Sequence, residues 1–308
     1  VKMTFEFATA SRIVFGAGSV REVASAARQW GSRALVVTGG NPNRAGGLIR
    51  QLELAGLSLA AFPVRGEPTV AAIREGVRAA REGRCDVVIA IGGGSAIDAG
   101  KAIAALMTNG PEPLDYLEII GRGQPIANPS APFIAIPTTA GTGSEVTRNA
   151  VLASPEQGVK ASLRSPHMLP RLAVVDPELT FNLPAALTAS TGLDALTQLL
   201  EAWVSVRANP ITDGFCREGL PLVARSLRRA FHNGGDIEAR SDMSLAALLS
   251  GLALANAALG AVHGFAAPVG GMFDAPHGAV CAALLPHATA VNIAALNSRE
   301  PESENLRR

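Results

Sequence analysis

Four side chains in this sequence could together hold a metal ion: Asp194, Gln198, His263 and His277. The first two lie in Thr191-Gly192-Leu193-Asp194-Ala195-Leu196-Thr197-Gln198, four residues apart. On a helix that spacing puts the carboxylate and the amide on one face. The histidines bracket a segment broken by glycine and proline, from His263-Gly264 to Pro276-His277-Gly278. Two imidazoles and a carboxylate can bind a divalent cation and leave a position open for substrate, which is the equipment of a Lewis-acid catalyst. Gln198 is the odd member, because an amide oxygen is a neutral, weak donor where an imidazole would bind a transition metal better. Each residue also has a plainer use. Asp194 can accept backbone N–H groups near a helix start, Gln198 can be a satisfied buried amide, and His263 can be a hydrogen-bonded core histidine. His277, beside Gly278, stands best alone. Cys281 follows it closely, but a buried thiol is the simpler reading there, and His167, His232 and His287 are assigned to structure or surface.

A second group of residues points to a nucleotide. The apolar run Asp86 to Ile91 leads directly into Gly92-Gly93-Gly94-Ser95 and then into a helical pattern. A strand, a glycine turn and a helix N-terminus form an anion cradle, with Ser95 placed as the N-cap. An ordinary capped turn would look the same. After another apolar run comes Pro137-Thr138-Thr139-Ala140-Gly141-Thr142-Gly143-Ser144-Glu145, in which hydroxyls alternate with glycines. Such a loop offers several donors to phosphate, ribose or nicotinamide. Gly16-Ala17-Gly18-Ser19 lacks the third glycine of a dinucleotide fingerprint and reads as a turn.

The elements that must position these groups fall into two textures. In the first half, strands at 12–15, 34–38, 57–62, 86–91 and 133–137 alternate with helices at 19–29, 48–55, 70–82 and 96–107. Uninterrupted Val/Ile runs alternating with helices predict an α/β domain with a parallel sheet covered on both faces. Beyond Asp176-Pro177-Glu178-Leu179 the strand-like runs stop, and Ala/Leu helices begin at Pro184, at Asn209-Pro210 and at Asp236. The expected division is an α/β dinucleotide-binding domain over residues 1–178 and an all-helical metal and substrate domain over 179–308.

Composition excludes several classes. The 308 residues are 48% hydrophobic and 17% charged with a formal net charge of +1, which fits neither a disordered chain nor a nucleic-acid surface. Three scattered cysteines, Cys85, Cys216 and Cys281, without CxxC spacing suggest buried free thiols in a reducing, cytoplasmic setting. The first residues lack the apolar core of a signal peptide. Met243 to Phe273 is long and nearly uncharged, but its Ala/Gly content, Asn256, His263 and Pro268 favour a buried helix over a membrane span.

Taken together, the motifs resemble the iron-containing alcohol dehydrogenase family, the metal-dependent group III dehydrogenases. The matching pieces are Ile91 to Lys101, Pro137 to Glu145, Lys160-Ala161-Ser162, Val175-Asp176-Pro177, Gly192-Leu193-Asp194-Ala195 and Pro276-His277-Gly278, in family order. The resemblance implies a dehydroquinate synthase-like architecture with NAD or NADP lying between the α/β and helical domains. It implies that Gly93, Gly94, Ser95, Asp98, Thr138, Thr139, Thr142, Ser144, Lys160 and Leu179 face the cofactor. Asp194, His263 and His277 match three of the family's four metal ligands, with His263 and His277 at the catalytic centre. The ion is expected to be iron, with zinc or manganese as alternatives, and the substrate a small alcohol or aldehyde. The segment Thr4 to Val14 is expected to pair with its copy in a homodimer.

The departures matter as well. The family usually has histidine at the positions of Gln198 and Ala267, so both the ligand set and the proton relay must differ here. The acidic residue that often favours NAD corresponds to Gly39, with Arg44 nearby to meet a 2′-phosphate. The similarity stops near Asn297, as though the helical domain were short. Metal-assisted hydride transfer between an alcohol carbon and nicotinamide is the leading reading. Its rivals are a metal-independent enzyme like the maleylacetate reductases, a lyase or synthase like dehydroquinate synthase, and a catalytically degenerate nucleotide-binding subunit.

Overall fold

The computed structural model describes residues 4–273 and 275–308, which form two compact units. One runs from Thr9 to Thr139 and from Ser144 to Phe181; the other comprises the segment ending at Ala8, the short stretch Ala140–Gly143 and Asn182–Arg308. The loop after the fifth strand therefore lends four residues to the helical unit, a division no composition shift announces.

The first unit is built on a six-stranded sheet. In chain order its strands are β1 (Ile13–Phe15), β2 (Arg33–Thr38), β3 (Ser58–Pro63), β4 (Val87–Gly92), β5 (Phe133–Pro137) and, after a separate hairpin of β6 (Asn149–Ser154) and β7 (Val159–Arg164), β8 (Leu172–Val175). The spatial order is β1-β8-β5-β4-β2-β3 and every pairing in the sheet is parallel. The expected doubly covered sheet is confirmed by how its residues sort. Leu35, Val37, Val88, Ala90, Phe133 and Ala135 join one core cluster, whereas their chain neighbours Ala34, Val36, Val87, Ile89, Ile134 and Ile136 join another. Period-two alternation with both faces apolar is what a fully buried parallel strand requires. Helices α1 (Val23–Trp30) and α2 (Gly46–Leu54) supply residues to the second cluster, and α3 (Val70–Glu82) and α4 (Gly94–Thr108) to the first.

The hairpin β6–β7 and strand β8 were not among the sequence expectations. The hairpin pairs antiparallel, from Asn149 with Arg164 to Ser154 with Val159. β7 carries Lys160, Ser162 and Arg164 at alternate positions, and the apolar stretch of β6, Ala150 to Ala153, is only four residues long. Strand β8 is only four residues long, although all four are buried.

The helical unit contains α5 (Ala185–Trp203), α6 (Pro210–His232), α7 (Ile237–Ala257), α8 (Ala261–Met272) and α9 (His277–Arg299). The starts read from sequence have clear causes. Asn209 and Thr212 close a capping box on α6, and the Asp236 side chain accepts the Ala239 N–H to cap α7. The run Met243 to Phe273 is not one buried helix: α7 and α8 meet at an angle of 100°. Ala258 makes the break with φ 59° and ψ −176°, a region that is costly for any residue with a Cβ. Two contacts hold it, Ala258 N–H to Leu254 O and Ser205 Oγ to Ala257 O at 2.6 Å. Among the described residues α9 is long and apolar enough by length and composition to cross a membrane, and most of its length is exposed. Its first turns, however, supply two side chains to the cluster described next.

Candidate metal centre and nucleotide turn

Three helices of the second unit bring Asp194 (α5), His263 (α8), His277 and Cys281 (both α9) together, with one donor atom from each within 4.8 Å of all the others. Each placement has a local cause. His277 and Cys281 lie four residues apart on α9 and so share a face. The first turn of α9 can approach α5 because residue 278 is glycine: a Cβ there would sit 2.2 Å from Ser190 O. His263 is aimed by the break at Ala258, which starts α8 in a new direction.

The separations are short. Asp194 Oδ1 is 3.3 Å from His263 Nε2 and 3.7 Å from His277 Nε2. Cys281 Sγ is 3.8 Å from His263 Nε2 and 3.7 Å from His277 Nε2. Asp194 and Cys281 are buried, while the His277 side chain keeps 39% of its surface exposed and gives the cluster an open side.

Glu201 was not anticipated. It sits on α5 seven residues after Asp194 and three after Gln198, on the same helical stripe, so the spacing was available as a signal. Its Oε2 meets His263 Nδ1 at 2.6 Å, and its Oε1 accepts the Val262 N–H at 2.7 Å. One carboxylate thus caps the start of α8 and fixes the ring it carries, leaving Nε2 directed at Asp194.

The electrostatics favour positive charge at the centre of the cluster. Burial alone would lower the pKa of His263, but its hydrogen bonds with Asp194, Cys281 and Glu201 raise it to about 11. Contact with Cys281 raises His277, against burial and with help from the Asp194 charge. Burial would raise the Cys281 thiol, yet the two imidazoles bring it below its usual value.

Gln198 is buried on the same helix, but its amide is occupied. Its Oε1 accepts a hydrogen bond from Ser250 Oγ at 2.7 Å, and its Nε2 donates to Thr142 O at 3.5 Å. The stretch Ala140–Gly143 is held against α7 by the same contacts. Gly143, at φ 62°, packs so closely that a Cβ would lie 2.3 Å from Gly251 Cα. At least this glycine of the hydroxyl-rich loop therefore serves packing, and Thr142 belongs with the helical unit.

In the α/β unit the glycine turn lies at the C-terminal ends of β2 and β4, where the chain's strand order reverses. Open α/β sheets bind ligands at such a switch point. The N-cap of α4 is Gly93, not Ser95, which lies inside the helix; no side chain caps this end, so its first N–H groups face outward for an anion. Thr138 N–H bonds Gly92 O at 2.8 Å, and Thr139 lies against Gly93, which places Gly93, Gly94, Ser95, Thr138 and Thr139 at one edge. Asp98 accepts the Val151 N–H at 3.0 Å, while its buried Oδ1 has no hydrogen-bond partner among the described residues. Burial raises the Asp98 carboxyl and lowers the Lys101 ammonium 3.7 Å away. Lys101 in turn binds Ser144 O, Thr147 Oγ1 and Asn149 O, so Ser144 is positioned by a buried cation. Lys160 pairs with Glu67 at 2.6 Å, and Leu179 packs on the core beneath the sheet. Gly16 and Gly18 form the expected turn, closed by Asp176, which accepts the Gly18 and Val20 N–H groups.

A parallel sheet with an uncapped glycine turn at its switch point, and a helical unit with a carboxylate–imidazole cluster, are together the parts of a dehydrogenase. Residues 10–177 match the iron-containing alcohol dehydrogenase family, and residues 188–304 match its C-terminal domain. Alcohol dehydrogenase 4 of Saccharomyces cerevisiae (strain YJM789) is 41% identical over 286 residues, covering 91% of this chain and 73% of the relative. The 1,3-propanediol dehydrogenase of Klebsiella pneumoniae is 42% identical over 248 residues, covering 80% of this chain but only 63% of its own length. The solved structure of an alcohol dehydrogenase from Oenococcus oeni superposes with a TM-score of 0.90 at 36% identity, over 99% of this chain and 81% of that one. The chain belongs to the iron-containing alcohol dehydrogenase family, and so to the oxidoreductases.

Proposed function

We propose that this protein interconverts a small alcohol and its aldehyde with NAD or NADP, using a divalent ion (iron, zinc or manganese) held by Asp194, His263 and His277. The observation that carries the reading is the convergence of those three side chains from three helices, with donor separations of 3.3 and 3.7 Å about Asp194. The donor set suits such an ion: one anionic oxygen, two imidazole nitrogens and a neighbouring thiol around an open side. A bound ion supplies Lewis acidity toward the substrate oxygen, and bound nicotinamide supplies the carbon that exchanges hydride.

The chain's own residues do the rest. Glu201 accepts the His263 Nδ1 proton, so an ion bound at the cluster would take the place of the proton on Nε2. The uncapped start of α4 and the glycine turn before it take the cofactor's phosphates. Asp98 Oδ1, which faces Lys101 at 3.7 Å and has no hydrogen bond among the described residues, is a polar atom that a ligand amide or hydroxyl can meet. Position 267 is alanine, so no side chain there moves a proton. The relatives are named for substrates from methanol and 1,3-propanediol to long-chain alcohols, which supports an alcohol or its aldehyde as substrate. We further propose a cytoplasmic homodimer, which light scattering tests directly.

The deciding experiment is turnover on a panel of short alcohols, diols and aldehydes with NAD and NADP, as purified, after chelation and after restoring single metals. Activity lost with the metal and regained with it supports the reading. Full activity in the chelated protein would replace it with a metal-independent reductase. Cofactor binding without turnover in any state would leave a nucleotide-binding subunit.

A further inference from the structure

We infer that Cys281, not Gln198, is the fourth protein ligand of the metal centre, and that the site is built for zinc in preference to iron. The inference rests on the reading that Asp194, His263 and His277 hold a divalent ion, and it adds the atom that completes their set.

Geometry makes the first argument. With metal bonds of about 2.0–2.1 Å to nitrogen and oxygen and about 2.3 Å to sulfur, the edges of a tetrahedral site are roughly 3.3–3.6 Å long. The observed edges are 3.3 and 3.7 Å from Asp194 to the imidazoles, and 3.8 and 3.7 Å from Cys281 to the same two nitrogens. The thiol thus stands where a fourth vertex belongs. Its exposure is 0%, and the hydrogen-bond partners it has among the described residues are the two imidazoles of this cluster.

The second argument concerns Gln198. Its only ligating atom, Oε1, accepts from Ser250 Oγ at 2.7 Å. Its nitrogen faces Thr142 O, so the amide ties the Ala140–Gly143 stretch to α5 and α7. Turning the oxygen to a metal would break the 2.7 Å bond from Ser250 and the tie to Thr142 O, each a net loss of about 0.5–1.5 kcal/mol. The fourth donor comes instead from α9, where Cys281 lies four residues after His277.

The third argument is the chemistry of the donor. A thiolate is a soft ligand, favoured by zinc over hard or oxygen-loving ions, and an Asp–His–His–Cys set lies within the range of zinc sites. Binding replaces the Cys281 S–H proton, and any proton carried on the ligating imidazole nitrogens, with bonds to the ion and releases those protons to solvent.

The test uses the whole chain, stripped of metal and loaded with cobalt(II). Cobalt bound at one equivalent with a near-ultraviolet thiolate-to-cobalt charge-transfer band is the expected result. Cys281→Ser should lose that band while Gln198→Ala keeps it, and Cys281→Ser should weaken zinc binding at least about tenfold, as the loss of even an outer contact does. Should Cys281→Ser fail to fold, X-ray absorption of the unmutated zinc protein decides, with one sulfur neighbour at about 2.3 Å expected. One equivalent of cobalt or zinc bound without a sulfur signature overturns the inference and leaves the metal reading standing. No stoichiometric binding of cobalt, zinc or iron overturns both.

Discussion

The two candidate sites of this protein are built from opposite materials. The nucleotide turn is made of main chain: glycines at the end of β4, the uncapped N–H groups of α4 and the Thr138 amide bonded to Gly92 O. The candidate metal centre is made of side chains delivered by α5, α8 and α9, and its geometry depends on a strained break at Ala258 and a close approach at Gly278. A site of the first kind tolerates changes of side chain provided the turn survives. A site of the second kind depends on each donor separately, and a ligand lost from one helix can be supplied by another. Such a difference explains how four donors can converge in the cluster although the Gln198 amide is engaged elsewhere.

The sharpest way to break this comparison is Asp194→Ala. Asp194 is the anionic centre of the cluster, so its loss should empty the site of metal and lower kcat/KM by about a thousandfold or more, the scale of several kcal/mol of transition-state stabilisation. Binding of the reduced cofactor, followed by its fluorescence, should stay at the unmutated level. A parallel loss of cofactor affinity would show that the two sites are not separately built.

How much could be read from the sequence follows the same divide. The parallel sheet, the helix from Val70 to Glu82 and the glycine turn were legible because their signals are contiguous: buried Val/Ile runs, a 3.6-residue period, glycines at a strand end. Strands β8 and β6 offer apolar runs of only four residues, and β7 is broken by Lys160, Ser162 and Arg164, so none of the three leaves a strong pattern. In the metal centre, Asp194, His263 and His277 could be singled out by type and resemblance. Glu201 and Cys281 left only spacing signals, seven residues after Asp194 and four after His277; their roles depend on how α8 and α9 are turned, and the break at Ala258 that turns α8 is made by an alanine.

The next largest effect should come from beneath the hydroxyl-rich loop. Burial pushes the Glu145 carboxyl up to about 7, against a backbone hydrogen bond and the charge of Lys101. The folded protein therefore binds a proton that the unfolded chain has released above its ordinary carboxylate value. The sign follows: stability falls as pH rises from about 4.5 to about 7, and the loss is complete above that. The magnitude is on the order of 3 kcal/mol. Glu145→Gln should remove this slope, so that denaturant unfolding at pH 8 shows a gain over the unmutated protein that vanishes near pH 5. An equal gain at both pH values would mean that the charge of Glu145 is not the cause.

Glu201→Gln probes the side-chain site more gently. The substitution keeps the size and one acceptor for the α8 start but removes the charge that raises His263 and orients its ring. Metal affinity should fall by about 10–100-fold, the usual cost of losing a carboxylate behind a histidine ligand. Competition with a chelating dye measures it. Unchanged affinity would assign Glu201 to helix capping alone.

The smallest effect tests whether the main-chain site reads its ligand at all. Gly39 follows β2 beside the glycine turn, and a Cβ there would meet nothing within 4 Å. A carboxylate at this point can accept from an adenosine ribose hydroxyl and repel a 2′-phosphate, whereas the exposed Arg44 suits the phosphate. Gly39→Asp should therefore weaken NADPH binding relative to NADH by about tenfold, a difference of 1.4 kcal/mol. Arg44→Ala should move the ratio the same way and by less. If neither substitution shifts it, selectivity lies in the side chains of another element, and the nucleotide site is less purely a main-chain construction than its turn suggests.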